Sequence, residues 1–171
     1  MSFNLYLNSN SNENFVGMDI FFNEITSIKG GQFRFKYIEE SPIKTQMDIF
    51  FLCLLIGFKK NVKENTKNYK SNEFSSNYID TYQNFSDLIN GFYLAIKVEK
   101  ELGENANKSS VRELIKKLIN PQDKINDLNT GALAELNSFA LGGYIEILKK
   151  FDYKKPEDVS VFFNKYIELL S

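Results

Sequence analysis

The chain has 171 residues, 43% of them hydrophobic and 25% charged, enough apolar sequence for one stably cored domain. Its net charge of −1 excludes a global pull towards nucleic acid or an anionic membrane. With no histidine and one cysteine, Cys53, it lacks the commonest general base and metal ligand, which excludes a Cys/His zinc site and an intramolecular disulfide.

Residues 1–14, MSFNLYLNSNSNEN, are rich in Asn and Ser. Phe3, Leu5 and Leu7 alternate with polar residues, which predicts a short edge strand or a docked N-terminal arm. No basic leader or cleavable apolar run is read there, so a cytoplasmic location is expected. In 15–28, Phe15, Met18, Phe22 and Ile25 are spaced by three, four and three, which predicts a helix. Gly30-Gly31 ends it, and QFRFKYI at 32–38 has the period of two of a strand or extended arm.

Ser41 to Phe58 is the stretch that organises the rest. Ile49 to Ile56 are eight apolar residues without interruption, with Thr45 as a candidate N-cap, Asp48 in the first turn and Gly57 at the position of a C-terminal cap. An all-round apolar helix must be enclosed by protein, so 45–57 is the expected central helix. At about 13 residues and ~1.5 Å per residue it is too short to cross a bilayer. Residues 59–77 read as a polar loop holding Lys59, Lys60, Lys63, Lys67 and Lys70, interleaved with Tyr69 and Phe74. Such a run either tracks a nucleic-acid backbone or simply solubilises the loop.

A helix is expected from about Tyr78 to Leu102, with a break near Ser86 and an inward stripe of Leu88, Phe92, Ala95 and Ile96 closing on Glu99. Ser110 and Glu113 fit a capping box ahead of Leu114, Ile115, Leu118 and Ile119, in a helix that stops before Pro121. The long helix predicted over 130–151 carries Leu133, Leu136, Phe139, Ala140, Tyr144, Ile147, Leu148 and Phe151, and Gly142-Gly143 interrupts it. Pro156, Glu157 and Asp158 open a terminal helix with Val159, Phe162, Phe163, Tyr166, Ile167 and Leu170. The expected fold is a mainly α, compact single-domain bundle over 1–171, built around 45–57, with a short N-terminal strand or arm.

Few residues suggest chemistry. Cys53 lies among Leu, Phe and Ile with no His to activate it, so a core residue is the expected reading. Thr45 and Asp48 are accounted for by helix capping. The pairs Glu39-Glu40, Glu99-Glu101 and Glu157-Asp158 lack a nuclease-like setting, and Gly30-Gly31 has no phosphate-loop continuation. No cofactor, metal or catalytic residue is expected. The Gly142-Gly143 pair costs helix stability, which close approach of another helix or a docking groove would offset.

Two segments together resemble a known group. Ile43-Lys44-Thr45-x-x-Asp48 enters an apolar helix ending Ile56-Gly57-Phe58-Lys59, and Phe139-Ala140-Leu141-Gly142-Gly143-Tyr144 lies on the later helix. The pair is similar to small accessory proteins encoded beside bacterial DNA phosphorothioation and other anti-phage defence genes, over roughly 38–60 and 130–150. The resemblance implies a non-enzymatic subunit that binds a larger ATPase or nuclease. Twenty-five aromatic residues, 16 Phe and 9 Tyr, exceed what such a core needs. A partner surface is therefore expected at Gly142, Gly143, Tyr144, Phe162, Phe163 and Tyr166, for docking or self-association. The alternative is a small nucleic-acid-binding regulator that uses Lys59, Lys60, Lys63, Lys67 and Lys70.

Overall fold

The computed structural model describes residues 2–10, 13–28, 41–75, 80–119 and 128–171. The expected strand or arm at 32–38, Gly30-Gly31 and Glu39-Glu40 lie outside them. The chain is mostly helical, with one short antiparallel two-stranded sheet. In order the elements are β1 (Ser2–Ser9), α1 (Met18–Phe21), α2 (Gln46–Lys60), β2 (Tyr69–Ser75), α3 (Asp80–Leu102), α4 (Lys108–Leu118), α5 (Thr130–Lys150) and α6 (Val159–Leu170). The sequence reads as one domain. The fold gathers into two compact units, Phe3–Phe74 with Asn137–Ser171, and Ser75–Leu136 with the first two residues.

In the first of these units, α2 is the enclosed helix that its apolar run demands. No residue from Met47 to Phe58 is exposed. Thr45 Oγ1 accepts from the Asp48 N–H at 3.0 Å, and Asp48 Oδ2 accepts from the Thr45 N–H at 2.8 Å. Asp48 thus completes the reciprocal box that usually takes Glu or Gln. The helix outruns its expected end at Gly57. It closes at Asn61, whose φ of 53° lies in the left-handed region that Asn tolerates.

Gly57 serves packing instead. A Cβ there would collide with the Phe139 carbonyl oxygen of α5, and a Cβ on Gly143 would collide with the Cys53 carbonyl oxygen of α2. Each helix therefore places a glycine against the other's backbone. Gly142 meets the Val62 carbonyl oxygen, 2.6 Å from an added Cβ. The glycine pair does not interrupt α5, which runs unbroken from Thr130 to Lys150.

Around this crossing sits an aromatic core. Phe21 packs edge-on to Tyr144 and Phe151 with centroids 5.7 and 5.4 Å apart, and Phe22 packs on Phe162 at 5.6 Å. The predicted helix at 15–28 shrinks to the four residues of α1, yet Met18, Phe22 and Ile25 are buried as its spacing required. Segment 59–77 is not one long loop. It contains the end of α2, a short 3₁₀ turn at Thr66–Asn68 and β2. Phe74 packs on Phe3 at 5.8 Å and Tyr69 on Tyr6 at 6.2 Å, which is what draws so polar a segment into the sheet. Asp158, not Pro156, opens α6, its side chain accepting from the Val161 N–H at 2.8 Å.

In the other unit α3 runs unbroken past Ser86. The N-cap of α4 is Asn107 and not Ser110, which instead supplies the returning side chain of the box. An isolated bridge between Ile119 and Leu128 leads into α5.

Candidate functional surface

The residues expected to form a partner surface on the C-terminal helices are interior. Gly142, Gly143 and Tyr144 are buried, as are Phe162 and Tyr166, while Phe163 is half-buried. The physical reasons are the α2–α5 glycine contact and the aromatic core centred on Phe162. Tyr144 donates its hydroxyl to the Val16 carbonyl at 2.6 Å, and Tyr166 donates to the Leu52 carbonyl at 2.8 Å. Both phenols thus satisfy their polar end inside the fold. Burial raises both phenol pKa values above the usual range. Of the terminal helix, Ile167 stands in solvent.

Cys53 is fully buried, and that burial pushes its thiol far up, away from the thiolate a nucleophile needs. Among the described residues no group of three or more His, Cys, Asp or Glu is placed to hold a metal ion.

The five lysines of 59–70 are all exposed. They do not share one loop: Lys59 and Lys60 end α2, Lys67 sits in the 3₁₀ turn, and Lys70 is on β2. Two have partners within the fold. Lys60 lies 3.6 Å from Glu146, and the Lys63 ammonium stands over the Phe139 ring at 4.7 Å. Lys149 also takes Glu146, at 2.6 Å, a hydrogen bond that raises its pKa. Lys150 and Lys155 pair with Glu168 and Glu24. These are surface pairs of small individual worth.

The sequence misread α3. Its inward residues are Ile89 and Tyr93, both fully buried, and not Leu88 and Phe92. Tyr93 donates its hydroxyl to Glu135 of α5, which also faces Lys97 at 3.2 Å, while Lys97 is further held by Glu101. Burial and then Glu135 raise the Tyr93 pKa. Burial works against the Lys97 ammonium, but Glu101 and Glu135 outweigh it and its pKa is raised. This half-buried polar cluster fixes the rotation of α3. The rotation leaves Leu88 52% and Phe92 44% exposed, with Gly91, Ala95 and Glu99 also in solvent.

Leu88, Phe92, Ala95 and Glu99 are spaced by four, three and four, so they form one line along the helix. Large apolar side chains set in such a line, with the core supplied by the adjacent stripe, make the strongest candidate for a binding surface in the described residues. The signal for it was present in the sequence as a second apolar stripe, Ile89, Tyr93 and Ile96, one position along. No helix among the described residues is long and apolar enough to cross a membrane. Against protein-family models, curated proteins and solved structures, the chain finds no match.

Proposed function

We propose that this chain is a non-catalytic binding subunit that docks on a larger protein through the outward face of α3. The observation that carries this reading is the pair Leu88 and Phe92, half in solvent on one line of a helix whose adjacent stripe is anchored by Tyr93 and Glu135. Exposing such area costs solubility unless a partner covers it. The segments around Thr45–Asp48 and Gly142-Gly143 suggest the setting: a bacterial anti-phage defence complex, with an ATPase or nuclease as the partner. The test is co-expression of the tagged chain with the genes that flank its own. A larger protein co-purifying in fixed ratio with the wild type, and lost with Phe92→Glu, is the expected result. Equal recovery with both, or catalytic turnover by the chain alone, overturns it.

The rival reading, nucleic-acid binding, draws on the exposure of Lys59, Lys60, Lys63, Lys67 and Lys70. It requires affinity that falls steeply with salt, with a slope of about −0.9 per neutralised phosphate.

A further inference from the structure

We infer that the outward face of α4 holds the phosphate backbone of a double-stranded nucleic acid. The inference goes beyond the subunit reading and does not rest on it. α4 lies against α3 with its apolar stripe turned inward: Leu114 is buried, and Val111, Ile115 and Leu118 are half-buried. Every exposed residue of the helix is polar, namely Lys108, Ser109, Arg112, Glu113, Lys116 and Lys117. Successive residues turn by about 100° round a helix, so Lys108, Arg112 and Lys116 climb it in one line, and Ser109 shares their arc of about 100°. Lys117 flanks them, about 100° beyond Lys116. Four cations thus stand against one carboxylate, on a chain whose net charge is −1.

These cations are not committed within the fold. Lys60, Lys97, Lys149, Lys150 and Lys155 each pair with a carboxylate. Among the described residues Lys108, Arg112 and Lys117 have no such partner, and Lys116 has Glu113, at 2.9 Å and well exposed. The field of the face acts on that acid. The hydrogen bond from Lys116 holds the Glu113 carboxyl below its usual range, and Lys117 and Arg112 add to the effect.

The chemistry of the face selects among anionic occupants. A helix seated in a bilayer needs a free apolar stripe, and that of α4 is turned into the fold. Protein interfaces centre on aromatic or apolar anchors and are depleted in Lys, whereas no exposed side chain of α4 is aromatic or apolar. Unpaired bases stack on aromatic rings, so the same absence disfavours a single strand. Lys, Arg and Ser are the side chains that contact phosphates, and such contacts need no apolar anchor. From Lys108 to Lys116 the helix rises ~12 Å, a length over which one strand of a duplex presents about three phosphates.

The experiment uses the intact chain with a labelled duplex DNA and a labelled duplex RNA, read by fluorescence anisotropy. For the DNA, three phosphate contacts give a log–log salt slope of about −2.7, so affinity at 200 mM salt should be about fortyfold weaker than at 50 mM. An unrelated DNA sequence should bind equally well, and the tighter of the two duplex types names the source of the phosphates. Arg112→Gln should make the slope shallower by about 0.9. Lys108→Gln, Arg112→Gln and Lys116→Gln together should abolish binding. Glu113→Gln should tighten it, a gain that a damaged fold would not give. All these side chains are exposed, so melting temperatures should stay near wild type and separate lost binding from lost folding. Binding of neither duplex at 50 mM salt, or binding indifferent to the triple substitution, overturns the inference. Loss of binding with Lys59→Gln, Lys67→Gln and Lys70→Gln, and not with the α4 variant, overturns it in favour of the 59–70 lysines. A polyglutamate peptide of matched charge bound more tightly than either duplex overturns it in favour of an acidic protein. Co-sedimentation with phosphatidylserine vesicles and with neither duplex overturns it in favour of a membrane surface.

Discussion

Gly143 and Gly91 are the same residue type in mid-helix, with opposite consequences. At Gly143 the Cys53 carbonyl occupies the place of a side chain, and the Gly57 N–H lies beside it. Gly143→Ala must push α5 off α2, and overpacking of this kind costs about 1–3 kcal/mol, more where backbone is the obstacle. At Gly91 there is open space, so Gly91→Ala gains helix propensity and should stabilise by about 0.5–1 kcal/mol. Thermal melts of the two variants should move in opposite directions from the wild type. A Gly143→Ala protein that melts at the wild-type temperature would mean that α2 and α5 do not cross where described. The glycine pair could be singled out in the sequence because two adjacent glycines in an apolar helical run need a reason. The Val62 and Cys53 carbonyls that provide the reason come from sequence far away and could not be read there.

At the scale of elements, α2 is the most legible part of the chain and α3 the least. An unbroken run such as Ile49 to Ile56 has no phase to mistake, since no side of it is exposed. Leu54→Asp would place an unpaired carboxylate in that interior and should cost several kcal/mol, enough to unfold a marginally stable protein. Loss of the far-ultraviolet helical signal, or recovery only in aggregates, is the expected outcome; a folded variant with an unchanged melt contradicts the enclosed helix. In α3 two apolar stripes lie one residue apart, Leu88–Phe92–Ala95 and Ile89–Tyr93–Ile96, and helical spacing fits both. The choice is made by Tyr93, whose hydroxyl finds Glu135 forty-two positions along the chain. That is tertiary information. Strand β2 was missed for a related reason. YKSNEFS has two strong strand formers, and its pairing depends on the aromatic partners that β1 supplies.

At the scale of the molecule, the aromatic side chains among the described residues, whose excess suggested a surface, are mostly interior. Tyr6, Tyr93 and Tyr144 are fully enclosed and Tyr166 nearly so. The inference from composition failed because Tyr can enter a core when its hydroxyl has a partner, and these four have one each: the Asn137 carbonyl, Glu135, the Val16 carbonyl and the Leu52 carbonyl. Their burial has a measurable consequence. Burial raises all four phenol pKa values above the ordinary value of 10.0, because the phenolate loses its hydration. A group whose folded pKa lies above its unfolded one binds its proton more tightly in the native state. Its contribution to stability is complete below pH 10 and is lost as the pH rises beyond that value. Alkaline titration followed by phenolate absorbance should therefore show these four phenols ionising late, in a single cooperative step that coincides with loss of the helical signal. Denaturant melts should hold their midpoint up to about pH 10 and then decline. Tyr144→Phe or Tyr166→Phe should shrink the cooperative step by one phenol. Titration of these four phenols near pH 10 in a still-folded chain would contradict the enclosed positions, and with them the aromatic core that pulls the C-terminal helices inward.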